Sequence, residues 1–317
     1  MSFSSNTKNE LSRIAITDSC CSLAELAAMV RMNGTIQISG KATINLKFTT
    51  ENAAIARRIF SLLKFLYNTE VEVMVRRNRQ LKKNNNYLIV VNDKNISSKI
   101  LQDIGFIDEY NLSIFKPYFK VPEKIIEKRC CKRSYIRGAF LGGGSISNPE
   151  KTYHLEFVTH NDIYAGDLSS LINEYGLNSK IIQRKNSFIV YIKEGEQIVN
   201  LLSIMGAYSA LLKLENIRIM KDMRNNVNRL VNCETANLSK TVNASVRQTE
   251  SIKLIQRRIG LNRLPENLRE IAELRLNYPD ESLKELGEML KPKVGKSGVN
   301  HRLRRIEKIA EELRKER

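Results

Sequence analysis

Apolar and polar positions change period several times along the chain, and each change marks an element. From Leu23 to Gly34 (LAELAAMVRMNG) the apolar and small residues recur with helical spacing. TIQIS (35–39) and ATINLKF (42–48) then alternate, which predicts a hairpin turning at Ser39-Gly40. Thr50-Glu51-Asn52 offers capping side chains for a helix over AAIARRIFSLLKFL. Two strand-like runs follow, VEVMV (71–75) and YLIVV (87–91), and then a helix near Ile96–Ile104.

The same order returns 109–110 residues later. Cys20-Cys21 and Gly34 correspond to Cys130-Cys131 and Gly144, and Thr50 and Asn52 correspond to Thr159 and Asn161. Between them lie the helical YIRGAFLGGGSI (135–146), strands SIS and TYHLEFV, and the helix DIYAGDLSSLINEYG. Strands SKIIQR and SFIVYIK and a helix over Glu194–Met205 complete the second copy. The chain therefore contains a duplication of order αββαββα, with copies expected at 1–110 and 111–220. Two such halves facing each other across a pseudo-twofold axis would offer a long concave surface suited to a duplex. The helix opening each copy is rich in small residues (Ala24, Ala27, Ala28; Gly138, Ala139, Gly142, Gly143). Glycine in a helix costs about 1 kcal/mol relative to alanine, so several together imply closely approaching helices.

Charge changes the picture more than composition does. The chain has 317 residues, 52 Lys+Arg and 34 Asp+Glu, a formal net charge of +18. Such an excess favours polyanionic partners, above all nucleic acid. There is no Trp, and aromatics make up 7%, which disfavours a stacking platform for single strands and favours duplex backbone and grooves. No apolar run is long enough for a membrane span, and no signal peptide is evident. The odd count of five Cys does not read as a disulfide framework. A cytoplasmic, nucleoid-associated protein with reduced thiols is expected, without cofactor, small-molecule substrate or membrane contact. The two Cys-Cys pairs raise the question of zinc. Usual sites space ligands as C-x₂₋₄-C, so no metal is expected, and the thiols read as small buried side chains at the helix starts.

After the duplication, residues 218–258 carry nine Lys/Arg against three acids, with frequent Asn. Arg224, Arg229, Lys240 and Arg247 are candidate phosphate contacts, although a solvated linker helix (221–260) has the same composition. Residues 261–317 read as three helices: 264–278 with Pro265 at its start, 282–290 capped by Ser282, and 296–313 after a turn holding Pro292 and Gly295. The last helix is two-faced. Val299, Leu303, Ile306 and Ala310 point inward by their spacing, whereas Lys296, Ser297, His301, Arg304, Arg305 and Lys308 point outward, with Asn300 on the flank. That outward face has the chemistry of a recognition helix in a major groove. The helix-turn-helix that holds it is expected over about 281–314, opened by Glu281 and closed by Arg314.

LAAMVRMNG (26–34) and IRGAFLGGG (136–144) resemble the LAGLIDADG homing-endonuclease motif. In active members an acid precedes the last Gly of each motif and the pair holds divalent metal. Here those positions are Asn33 and Gly143, and the other acidic positions are Arg31 and Leu141. The resemblance therefore implies the fold without catalytic residues, and the protein is not expected to be an enzyme. Over nearly the whole chain the sequence further resembles the WhiA family, most specifically at ENAAIARRI, CCKRSYIRGAFLGGGSISNPE, DMRNNVNRLVNCETANLSKT and LKELGEML…KSGVNHRLRRI. That resemblance implies an α+β fold, a duplicated LAGLIDADG-like pseudo-dimer followed by an all-α helix-turn-helix domain. It also implies double-stranded DNA as partner, together with transcription or division proteins. A role in cell division, chromosome segregation and sporulation is implied too, with transcription regulation in some members. The alternative from the same fold is an endonuclease or maturase-like protein with residual activity.

Overall fold

The computed structural model describes residues 2–39, 43–77, 85–107 and 118–315. They form two units, Met1–Lys221 and Asp222–Arg317.

The first unit opens with a helix absent from the periodicity reading, α1 (Phe3–Leu11), capped by Ser2 and buried along Phe3, Thr7 and Leu11. The duplication follows. Copy one is α2 (Ser19–Asn33), β1 (Gly34–Ser39), β2 (Thr43–Thr50), α3 (Ala53–Tyr67), β3 (Glu72–Arg77), β4 (Asn85–Val91) and α4 (Lys94–Asp103). Copy two is α5 (Arg129–Gly143), β5 (Gly144–Ile146), β6 (Leu155–Thr159), α6 (Asp162–Asn173), β7 (Lys180–Arg184), β8 (Ser187–Ile192) and α7 (Gly195–Met205). Each copy has its own antiparallel sheet, ordered β1-β2-β4-β3 and β5-β6-β8-β7. The registers match: Gly34 faces Phe48 as Gly144 faces Phe157, and Leu46 faces Val91 as Leu155 faces Ile192. Alternation puts Ile44, Leu46 and Phe48, and likewise Leu155 and Phe157, into the core. The expected caps form. Asn52 Oδ1 accepts from Ala54 N at 2.8 Å, and Asn161 Oδ1 accepts from Tyr164 N at 2.9 Å. Of the predicted Ser39-Gly40 turn, Gly40 lies outside the described residues.

The core of this unit is the contact between α2 and α5. Ala24, Ala27, Ala28 and Ala139 are fully buried there. At Gly138 a Cβ would lie 2.3 Å from the backbone oxygen of Glu25, so the two helices touch main chain to side-chain-free main chain. The glycines are thus explained by packing. Glu25, fully buried, accepts two hydrogen bonds from Arg58 of α3 (2.7 and 2.8 Å) and one from Arg137 of α5 (2.9 Å). Arg58 also donates to the backbone oxygen of Ile14. A carboxylate this deep is tolerated only because guanidinium groups replace its water. Arg31, legible in the sequence only as a missing acid, is buried. It donates to the oxygens of Ile104 (3.0 Å) and Gly105 (3.2 Å) and lies over the Phe106 ring.

The stretch expected as a linker is one uninterrupted helix, α8 (Tyr208–Arg258). Its residues 222–243 are exposed on every side, while Gln248, Ser251, Ile252 and Ile255 are buried. The second unit's core therefore begins before residue 261, because α8 acquires an inward apolar face only in its last turns. That core adds α9 (Glu266–Asn277), α10 (Leu283–Met289) and α11 (Lys296–Lys315), with Leu268, Ile271, Leu286, Val299, Leu303 and Ile306 inside. Ser282 caps α10, and Glu285 returns the bond to the Ser282 amide at 2.8 Å, a capping box. The last helix runs through Arg314 to Lys315, beyond the end at 313 that its periodicity predicts. Arg314 and Lys315 extend it because cations in a final turn are favoured by the negative end of the helix dipole.

Two substitutions test this account by urea unfolding. Gly138→Ala must part α2 from α5 and is expected to cost about 1–3 kcal/mol as overpacking. Glu25→Gln leaves two arginines without their counter-charge and is expected to cost about 3–5 kcal/mol. Wild-type stability in either variant would show that this contact does not carry the fold.

Candidate nucleic-acid interface and the ends of the paired helices

Helix α11 is held in the second unit by its apolar stripe and by two polar ties. Arg302 donates to the oxygen of Asn267 at 3.3 Å, and Glu307 accepts from Arg247 Nε at 2.9 Å. Arg247, a candidate phosphate contact in the sequence, is thus engaged with α11. Buried Arg275 donates to the oxygens of Pro279 (3.2 Å) and Glu281 (2.8 Å), closing the loop between α9 and α10. At Gly287 of α10 a Cβ would lie 2.0 Å from the oxygen of Val294, so helix and turn meet at a spot that admits only glycine.

These constraints leave one face of α11 unused. Lys296, Ser297, His301, Arg304, Arg305 and Lys308 are exposed and Asn300 is half-buried. Among the described residues their side chains take part in no hydrogen bond or ion pair within the protein. From Ser297 to Lys308 the stripe is roughly 16 Å long at 1.5 Å per residue, a length that a major groove accommodates. The two residues expected to bound the helix-turn-helix lie outside this stripe. Glu281 is half-buried in the loop before α10, where its backbone oxygen serves Arg275. Arg314 is exposed in the last turn of α11, at the opposite end of the helix from Lys296. Lys291 and Lys293, in the turn before α11, are exposed too. The sequence reading passed over them because it weighed helix faces only. Arg224, Arg229 and Lys240 lie on the fully exposed part of α8.

The positions at which the LAGLIDADG motif carries its acids are at the C-terminal ends of α2 and α5, where both helices run into their first strands. The Asn33 side-chain oxygen is buried without a hydrogen-bond partner among the described residues. A Cβ at Gly143 would meet Met32 Cε at 2.3 Å and the oxygen of Val158 at 2.9 Å. A thioether thus fills the space an acid would need. One amide oxygen beside a methionine does not suit Mg²⁺, which demands several hard oxygen donors. On the outward face of the second sheet Glu156 lies in register between Ser145 and Tyr191. It accepts from Ser145 Oγ at 3.1 Å and pairs with His154 Nε2 at 2.9 Å, an acid where a phosphate-binding groove would place cations.

The cysteines depart from expectation. Only Cys131 is buried; Cys20 and Cys21 are half-buried and Cys130 is exposed. The four thiols, from two helices, lie within 4.8 Å of one another. Burial pushes the Cys21 thiol up to about 11 and raises that of Cys131, while hydrogen bonding with Cys21 lowers that of Cys130. Adjacency along the chain did not keep the thiols apart.

Comparison with known proteins matches residues 19–107 to the WhiA N-terminal LAGLIDADG-like domain, 132–224 to the WhiA LAGLIDADG-like domain and 227–310 to the WhiA C-terminal HTH domain. A Clostridium botulinum relative named "Probable cell division protein WhiA" is 61% identical over 99% of both chains. The chain belongs to the WhiA family. A second WhiA, from Clostridium beijerinckii, is 63% identical over 99% of both chains. The crystal structure of full-length DUF199/WhiA from Thermatoga maritima aligns with a TM-score of 0.59 at 28% identity, covering 98% of this chain and 99% of that one. The WhiA fold is thus the one described above. Among the described residues no helix is long and apolar enough to cross a membrane.

Restoring the acids should not restore a nuclease. With Asn33→Asp and Gly143→Asp together, supercoiled plasmid incubated with Mg²⁺ is expected to stay intact, because Met32 and the Val158 oxygen occupy the site. Metal-dependent nicking by this double variant would refute the steric account. Gly287→Ala is expected to destabilise the second unit by about 1–3 kcal/mol, read as an earlier unfolding step.

Proposed function

We propose that the protein is a non-enzymatic DNA-binding factor of cell division, acting in chromosome segregation and as a transcription regulator. In this reading α11 reads double-stranded DNA at the nucleoid, in the cytoplasm. The observation that carries the proposal is the unpartnered face of α11. Four cations there (Lys296, Arg304, Arg305, Lys308) flank Ser297, Asn300 and His301, on a helix whose opposite side is locked into a core. Arg suits guanine and Asn suits adenine edges, while Lys and Ser suit phosphate. Further support comes from the HTH domain match and from the name of the relatives, which places those proteins in cell division. Arg224, Arg229 and Lys240 are proposed as additional phosphate contacts, and transcription or division proteins as further partners. Arg314 takes no part in base reading here, since a recognition helix reads with its N-terminal residues. The body contributes no chemistry in this reading, since the positions at which the LAGLIDADG motif carries its acids hold Asn33 and Gly143, beside Met32.

The test is fluorescence anisotropy of the full-length protein on a duplex across a salt series. Binding should weaken steeply with salt. Arg304→Ala and Arg305→Ala should each weaken it by about 1–3 kcal/mol. Arg224→Ala with Arg229→Ala should shallow the salt dependence by a smaller, sequence-independent amount. Unchanged affinity in the Arg304 and Arg305 variants would remove α11 as the reader.

A further inference from the structure

We propose that Cys20, Cys21, Cys130 and Cys131 form a structural zinc site that fastens the two repeats together. A tetrahedral tetrathiolate zinc has Zn–S bonds of about 2.3 Å, which places the sulfurs about 3.8 Å apart. Here all four sulfurs lie within 4.8 Å of one another, and Cys130 Sγ and Cys131 Sγ are 4.0 Å apart. The spread differs from that of a tetrathiolate by at most about 1 Å. The set is too tight for a multinuclear iron–sulfur cluster, whose ligands spread around several metal ions. It is also all soft sulfur, which selects zinc over magnesium or calcium. Four thiolates fill the tetrahedron and leave no open position, so the site is structural rather than catalytic.

The backbone supplies a second, independent reason. Each cysteine pair occupies the second and third positions of its helix, after Asp18 in α2 and after Lys128 in α5. Neither helix has a side-chain cap at that end, a feature they share with α7 and α9. The positive dipole ends of both helices converge on the thiols. Binding one Zn²⁺ to four thiols releases up to four protons and leaves a net charge of −2. The helix ends and the nearby Arg133 offset that charge, while Arg137 is already paired with Glu25. A cleft of about 230 Å³, lined by Cys21, Cys130, Ser134 and these two arginines, gives an ion a way in. The same geometry explains why the pairs need not be spaced like a zinc finger. Each pair spans one helical step, and the second pair comes from the facing helix.

The experiment uses the full-length protein, fully reduced and stripped of metal with a chelator, and then titrated with Co²⁺. One equivalent should produce the intense visible bands of tetrahedral cobalt thiolate, and one equivalent of Zn²⁺ should abolish them. Metal analysis of protein purified without chelator should find about one zinc per chain. Cys20→Ser and Cys131→Ser should weaken the metal more than about 100-fold, since even outer-shell changes cost about 10–100-fold. Cys233→Ser, on α8, should leave it unchanged. Zinc should also raise the unfolding temperature of the wild type and not of Cys131→Ser. The absence of cobalt thiolate bands from the reduced wild type would overturn the proposal, whether or not a variant folds. So would bands of unchanged intensity and affinity in Cys131→Ser. Two disulfides in the purified protein, with no metal taken up after reduction, would assign the cluster to thiol oxidation instead.

Discussion

The first unit depends on how closely α2 and α5 approach. At Gly138 there is no room for a methyl group against the backbone of Glu25, and this distance sets what can happen at either end of the helix pair. In the middle it buries Glu25, which then requires Arg58 and Arg137, so that α3 is tied to the same seam. At one end it brings four thiols from two repeats together. At the other it brings Met32 and Asn33 against Gly142 and Gly143. Backbones in contact transmit position without the slack of interleaved side chains, so both ends are held to well-defined separations.

At Asn33 and Gly143, where the LAGLIDADG motif carries acids, the difference is one of packing as much as of charge. Removing a carboxylate leaves space and an unpaired polar environment. Here Met32, flexible and apolar, occupies the space beside Gly143, and thioethers fill irregular gaps well. Side chain and backbone close the seam at that position. In the second unit a short capped helix, a turn and a two-faced helix leave the cations of α11 exposed, while Arg247 of α8 is paired with Glu307.

Residues with a strong local signature were legible from the chain. The inward stripe Val299, Leu303, Ile306 and Ala310 is buried as its spacing predicts, because burial of one helix face follows from a period of 3.6 residues whatever the partner. The caps Asn52, Asn161 and Ser282 were legible for the same reason, since a cap acts within three residues of itself. The duplicated sheets followed from alternation and from the 109–110-residue offset. The core role of Ile252 and Ile255 was hidden inside a basic, Asn-rich stretch, where charge masked a short apolar face.

What the sequence determined by itself was therefore the elements, the duplication, the face of α11 that turns outward and the presence of Asn33 and Gly143 at the motif positions, all properties of residues near one another along the chain. Only the tertiary structure decided the partners of buried charge. Arg31 became a clamp on the Ile104 and Gly105 carbonyls, and Glu25 met Arg58 and Arg137 of two other helices. It also decided that Cys20-Cys21 would meet Cys130-Cys131, 110 positions away. Chain adjacency limits where a residue's own backbone can go, but it places no limit on what another helix brings to meet it.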